Sequence, residues 1–159
     1  MFRSSLLAGA AALALLAGCA TTGTPATVAE ATARTPGLAT MNKLMAEAGL
    51  AQTLGGTGPY TVFAPSDEAF KAVPAKTMAE LSTNKALLTE VLSYHVLPAR
   101  LSAADVKNGS ARTMQGANVA LSRAGTYVTV EDAMVTQPDV DASNGVVHVT
   151  DRVLMPPRR

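Results

Sequence analysis

The sequence predicts an α+β fold with a mostly antiparallel sheet, and three observations predict it. As far as about Val106, apolar side chains recur at three- and four-residue steps, the period of a helix with one buried face. From Ala111 the period falls to two, and Gly116, Gly125 and Asn144-Gly145 punctuate the alternating stretches as turns. Helical pattern first and strand pattern second separates the two kinds of element along the chain. There is no internal repeat.

The elements follow in order. Arg3 precedes Leu6 to Ala17, twelve residues built only from Leu, Ala and Gly. A membrane span needs about 20 apolar residues, so this run has the length of a signal-peptide core instead. Leu16-Ala17-Gly18-Cys19 resembles a bacterial lipobox, in which the cysteine thiol receives the lipid. Residues 1–18 are therefore expected to be a lipoprotein signal peptide, with Cys19 the lipidated amino terminus. The lipobox implies two or three acyl chains, enough for stable anchoring where one would not suffice. Ala20 follows the cysteine, and no Asp is there to signal inner-membrane retention. In a Gram-negative cell this implies export to the outer membrane, or a periplasm-facing anchor.

Residues 19–34 are rich in Ala and Thr and read as a flexible stalk, long enough to hold a domain roughly 20 Å from a bilayer. The folded domain is expected over residues 35–157. Thr35-Pro36 suits a helix start, and Leu38, Met41, Leu44, Met45 and Ala48 mark its buried face before Gly49 ends it. Leu50 and Leu54 form a short turn before the Gly55-Gly56-Thr57-Gly58 loop. Tyr60 to Phe63 reads as a strand stopped by Pro65, and Ser66 caps the next helix. Thr77-Met78-Ala79-Glu80 matches a capping box. Leu87, Leu88, Val91 and Leu92 stripe a helix from about Asn84 to His95, which Pro98 terminates. Ser102 to Val106 reads as one more helical turn. Strands are expected at Thr113–Met114, Val119–Ser122, Tyr127–Val130, Met134–Thr136 and Val146–Leu154.

Composition excludes some functions. Removing residues 1–18 takes away one basic residue and leaves twelve basic against twelve acidic side chains, with no basic stripe for nucleic acid. With the one cysteine given over to lipid, no intrachain disulfide is available and burial alone must hold the domain together.

Three separated stretches, in order, carry a family resemblance. Gly58-Pro59-Tyr60-Thr61-Val62-Phe63-Ala64-Pro65-Ser66-Asp67-Glu68-Ala69-Phe70 resembles the first signature of the fasciclin (FAS1) domain. Val91-Leu92-Ser93-Tyr94-His95-Val96-Leu97 resembles its central Tyr-His motif, and Asn144-Gly145-Val146-Val147-His148-Val149-Thr150-Asp151-Arg152-Val153-Leu154 its second signature. The resemblance covers about Pro36 to Pro156. It implies a FAS1-like fold, with N-terminal helices packed on a wedge-shaped, mostly antiparallel β-sandwich.

It also implies where partners would bind. The Tyr-His region of animal relatives contributes to integrin-dependent adhesion, which makes Tyr94 and His95 candidate protein-binding residues. Gln137-Pro138-Asp139-Val140 resembles the Glu-Pro-Asp-Ile adhesion motif of animal members, adding Asp139 and Val140, although Gln137 replaces Glu. Read from the residues alone, His95 is a core or helix-capping histidine, His148 a strand residue and Gln137–Val140 a turn. Asp139 to Ser143 imitates the start of a calcium loop. Asn144 replaces the loop's glycine and Thr150 its bidentate carboxylate, so no metal is expected. No nucleophile–base pair stands out, hence no catalytic residue and no cofactor.

The expected function is thus a non-catalytic, membrane-anchored envelope module for adhesion or protein contacts. Its partners are the membrane, through Cys19, and an unidentified surface protein, with no nucleic acid. The alternative from the family is a small apolar ligand, carotenoid- or lipid-like, in a groove beside Met114, Val119, Leu121 and Met134. A third reading is a structural spacer in the envelope.

Overall fold

The computed structural model describes residues 26–157. Residues 1–25, with the expected signal peptide and Cys19, lie outside that range. Among the described residues six helices come in the first part of the chain: α1 (Val28–Arg34), α2 (Ala39–Ala48), α3 (Leu50–Leu54), α4 (Asp67–Lys71), α5 (Ala75–Thr83) and α6 (Lys85–Tyr94). The strands are β1 (Tyr60–Pro65), β2 (Val96–Leu97), β3 (Gly109–Arg112), β4 (Asn118–Ala124), β5 (Tyr127–Val130), β6 (Ala133–Ala142) and β7 (Gly145–Thr150).

Several starts and stops follow from cap chemistry. Gly49 ends α2 in the left-handed conformation at φ 78°, and the Ser66 hydroxyl accepts from the Ala69 amide to open α4. Asn84 does the same for α6, taking the Leu87 amide at 3.1 Å. The capping box lies elsewhere than expected. Thr77 and Glu80 fall inside α5, whose N-cap is Pro74. The real box is Thr27 with Glu30, at the head of α1.

That box corrects the stalk. From Thr27 to Arg34 the chain is capped helix, and Val28, Ala31 and Thr32 are buried against the domain. Small side chains at i, i+3 and i+4 make a helical face that composition alone conceals. Thr35 closes α1 rather than opening α2, so the folded unit starts about eight residues before the expected boundary. The head of α2 is served from a distance, the Asp67 carboxylate accepting the Thr40 amide at 2.8 Å.

The seven strands form one sheet in the order β2-β1-β7-β6-β5-β4-β3. Only β1 and β7 run parallel, from Tyr60 opposite Gly145 to Pro65 opposite Thr150. Every other pairing is antiparallel, as expected. The sheet changes direction at β6. Its first residues pair with β5 and the rest with β7, through register shifts between Val135 and Gln137 and between Gln137 and Val140. The expected strand at Thr113–Met114 is instead the bend after β3. There the Thr113 hydroxyl donates to the Ala117 carbonyl, and the Met114 amide to that of Val96. Met134–Thr136 is the opening of a strand that runs on to Ala142, and β7 stops at Thr150 rather than Leu154.

Two apolar clusters result. The helical layer buries Met41, Met45, Leu54, Leu88 and Leu92 against Val62, Ala64, Val147 and Val149 on one face of β1 and β7. On the other face Phe63 meets Val119 and Leu121 of β4, Val128 and Val130 of β5, Val135 of β6 and Leu154. The bent sheet therefore closes on itself as a sandwich, with helices over one side.

Candidate functional site

The Tyr-His pair sits at the end of α6, where the helix hands over to β2. Neither side chain reaches the surface. Tyr94 is 3% exposed, its hydroxyl donating to the Asn118 carbonyl at 3.3 Å, and His95 is fully buried. His95 Nδ1 lies 2.7 Å from the Val91 carbonyl and its Nε2 2.9 Å from the Leu154 amide. A carbonyl only accepts and an amide only donates, so the proton is on Nδ1 and Nε2 is bare. Burial pushes this imidazole down to about 4, against the opposing effect of the Val91 carbonyl. A second proton would set two donors face to face. His95 is a neutral strut joining α6 to the segment after β7. Tyr94 and His95 consequently offer no side-chain surface to a partner, which corrects the binding role that the resemblance suggested.

Gln137–Val140 is the irregular part of β6, not a turn. Pro138 has no amide to give a ladder, and Asp139 takes a positive φ of 55°, so the bend falls here. Asp139 is exposed but tied: its Oδ1 accepts the Ala103 amide at 2.8 Å and its own amide donates to His148 Nδ1 at 3.1 Å. His148 Nε2 donates to the Leu101 carbonyl at 2.7 Å, and the ring stacks on Phe63 with centroids 5.5 Å apart. This ring holds the opposite tautomer to His95, and both of its nitrogens are likewise occupied by backbone; burial lowers its basicity too. Val140 is half-buried against the helical layer. Of the four candidate residues, the structure brings none into a common site.

What it does bring together is a clamp on the segment 99–103. Thr61, fully buried, donates to the Ala99 carbonyl at 2.6 Å and accepts the Leu101 amide at 2.8 Å. His148 and Asp139 hold Leu101 and Ala103. Arg100 reaches the carbonyls of Ala142 and Gly145 and pairs with Asp141 at 2.8 Å. Asp141 is thereby used by a guanidinium rather than left to a calcium loop. Among the described residues no group of three or more His, Cys, Asp and Glu side chains could hold a metal ion.

Asn144 is legible in the sequence only as a turn residue, and it does more. Its Oδ1 accepts the Val28 amide at 2.7 Å, while Nδ2 donates to the carbonyls of Leu54 and Gly56 at 2.7 and 2.6 Å. One side chain thus ties α1, α3 and the Gly55–Gly58 loop to the start of β7. Gly145 beside it is glycine because a Cβ would overlap the Tyr60 carbonyl oxygen, not because of its φ. Gly58 needs both: its φ is +59°, and a Cβ would strike the Asn144 carbonyl. The first and second signatures are therefore two halves of one close backbone contact.

The four residues expected to line a ligand groove do not share one face. Val119 and Leu121 point into the sandwich, while Met114 and Met134 are exposed. An apolar recess of about 140 Å³ does exist elsewhere, between α5, α6 and the C-terminal segment, lined by Leu81, Leu87, Val91, Met155 and Pro156. It opens beside a wider groove edged by Lys76, Glu80 and Glu90.

The comparisons with known proteins match this architecture. The family model described as "Fasciclin domain" matches residues 36–156. "Protein sll1483" of Synechocystis is 39% identical over 140 residues, covering 87% of this chain and 78% of that one. "Immunogenic protein MPB70" of Mycobacterium bovis is 41% identical over 135 residues, with 82% and 69% covered. "Cell surface glycolipoprotein MPB83" of the same organism is 37% identical, and the chain spans 60% of its length. A solved FAS1 domain pair from the insect cell adhesion molecule fasciclin I superposes at a TM-score of 0.65 and 17% identity. It covers 82% of this chain and 51% of that pair, so the likeness shows the fold alone. With this fold, these paired signatures and a family match over residues 36–156, the chain belongs to the fasciclin (FAS1) domain family.

Proposed function

We propose that the protein is an exported, lipid-anchored and non-catalytic module that makes adhesive or protein–protein contacts at the cell envelope. One observation carries this reading. A lipobox-like Leu16-Ala17-Gly18-Cys19 precedes a domain that is 37% identical to a protein named a cell surface glycolipoprotein. The chemistry of the domain supports it: both histidines are held by backbone partners at both ring nitrogens, which takes them out of general acid–base work. The test compares wild type with a Cys19→Ala variant by metabolic palmitate labelling, membrane fractionation and a cell-aggregation or envelope pull-down assay. Label and membrane association should disappear in the variant, and contact formation should weaken. An unlabelled wild type, or aggregation unchanged after loss of the whole protein, would overturn it.

A small apolar ligand is the second reading, favoured only by the recess under Met155 and Pro156. At about 140 Å³ it is well below the ~300 Å³ at which pockets for drug-sized ligands begin. Native mass spectrometry of protein taken from its own membrane decides between them, since a bound lipid or pigment adds its mass.

A further inference from the structure

The geometry points to a restricted orientation: the anchored domain keeps its Gly55–Pro59 and Asn144 end nearer its own bilayer and cannot set its α4–α5 end against that bilayer. This rests on the proposed lipidation of Cys19, and it follows from where the described chain begins. Ala26 is held at one pole of the sheet, its carbonyl accepting the Ser143 amide at 2.9 Å, next to the Asn144 bond to Val28. That pole is the start of the parallel strands β1 and β7. The opposite pole, where they end, carries Ser66, Ala72, Asp151 and Arg152.

Only Ala20 to Pro25 separates the anchor cysteine from Ala26. Whatever their conformation, seven Cα steps cannot exceed about 25 Å. A compact domain of about 130 residues has a radius of gyration of about 14 Å and hence a diameter of about 36 Å. Turning the domain upside down would lift Ala26 by roughly that diameter, about 10 Å more than the tether can reach. The far pole is therefore excluded from the membrane that anchors the molecule. With the fifteen-residue stalk expected from composition the limit would be about 55 Å, and no orientation would be excluded. The correction at α1 is what creates the constraint.

The surface chemistry agrees with the placement. The near pole presents Gly55, Gly56, Thr57 and Pro59, all uncharged and exposed, with Arg100 paired to Asp141 and one exposed carboxylate, Glu30, against the Thr27 amide. The far pole presents Asp67, Glu68, Lys71, Asp151 and Arg152. A surface with fewer charged groups gives up less hydration against lipid headgroups than a denser array of charges. The partner met at the near pole is thus the lipid surface itself. Any protein partner is left the far pole and the flanks.

The experiment uses the mature lipoprotein purified from membranes and reconstituted in phosphatidylethanolamine–phosphatidylglycerol vesicles. Single thiols are introduced by Thr57→Cys or Ala72→Cys, both at exposed positions, and labelled with a fluorophore while Cys19 is blocked by its lipid. Nitroxide carried on lipid headgroups then quenches by contact. Quenching at position 57 is expected to exceed that at 72 by at least about threefold, because the poles lie about 17 Å apart along the six-residue strand β1. Lengthening the tether by about 15 Gly/Ser residues after Pro25 should shrink the ratio toward one, since the added contour length of about 50 Å exceeds the domain diameter. Equal quenching, or stronger quenching at 72, in protein whose mass confirms acylated Cys19 overturns the orientation and leaves the anchor standing. A mass showing unmodified Cys19 removes the anchor, and the orientation falls with it.

Discussion

The two halves of the sheet differ in what covers them. In β1 and β7 almost every residue is buried, because helices lie on one face and the sandwich on the other. In β4 and β5 alternate residues are exposed, because only one face is covered. A strand covered twice can leave no polar group to water. Thr61, His148 and Thr150 are accordingly each tied to backbone, and no buried polar side-chain atom among the described residues lacks a partner. A strand covered once can carry Ala120, Ser122 and Thr129 on its outer face without any such arrangement. The first and second signature stretches contain these two doubly covered strands, and Thr61, His148 and Thr150 are their tied polar members.

The difference predicts unequal costs. Phe63→Ala should be the most damaging change considered, since the ring is fully buried between the two halves and also supports His148. Loss of about 3–5 kcal/mol is expected for a buried Phe→Ala, measured by urea or guanidinium unfolding. A loss below about 1 kcal/mol would mean that the halves are not joined through this residue.

Acid should attack the same half. An unfolded histidine titrates at about 6.5, and burial holds His95 at about 4 when folded. Between those values the unfolded chain binds the extra proton, so stability is complete above about pH 6.5 and falls as pH drops toward 4, by about 1.4 kcal/mol per unit. His148 shifts in the same direction and adds to the slope. Asp67, held below its usual range by the Thr40 amide, has the same sign, and its contribution is lost as pH falls further, under more acidic conditions than the histidine window. Unfolding free energy measured from pH 7 to 4 should fall steeply, and ring-proton NMR should find no imidazolium on His95 at pH 5.5. A protonated His95 there would remove the explanation.

Asn144→Ala probes the contact that joins the two signatures. It leaves the Val28 amide and the Leu54 and Gly56 carbonyls without their partner. Because these groups are only part-buried and water can replace some of the bonds, a loss of about 1–3 kcal/mol is expected. The effect should localise, with faster amide exchange in α1 and at Gly58 than in β4 and β5. Uniform exchange would show that α1 does not depend on this clamp.

How much of this is readable from the chain depends on whether the signal is local. The Gly49 cap, the Ser66 cap, the Asn84 start and the strand Tyr127–Val130 each rest on adjacent residues, and they appear where the pattern puts them. The α1 helix escapes the pattern because its buried face is Ala, Thr and one Val, though Thr27 and Glu30 do spell its capping box. The Thr77–Glu80 match misleads, since the same four-residue spacing recurs inside any helix. The candidate residues fare worse for a different reason. Tyr94 and His95 are conspicuous in sequence, but their burial is set by Asn118 and Leu154 reaching them from a distance along the chain. The reach of Asn144 to three separate segments likewise has no local mark.

The singly covered half supplies the smallest expected effect and the sharpest control. Ser122 faces solvent in β4, opposite Thr129, and makes no side-chain hydrogen bond among those described. Ser122→Thr should change stability by no more than about 0.5 kcal/mol, as is usual for a surface site without a cap, a cavity or a buried partner. Strand preference for the branched side chain would make the change slightly favourable. Thr61→Ser, the same pair of residue types in reverse within the doubly covered half, removes a methyl from a fully buried site while keeping the hydroxyl that holds Ala99 and Leu101. It should cost about 1 kcal/mol, the scale of one buried methyl group. If the two substitutions cost the same in chemical denaturation, covering by the helical layer is not what separates the halves, and the order of every larger effect above loses its reason.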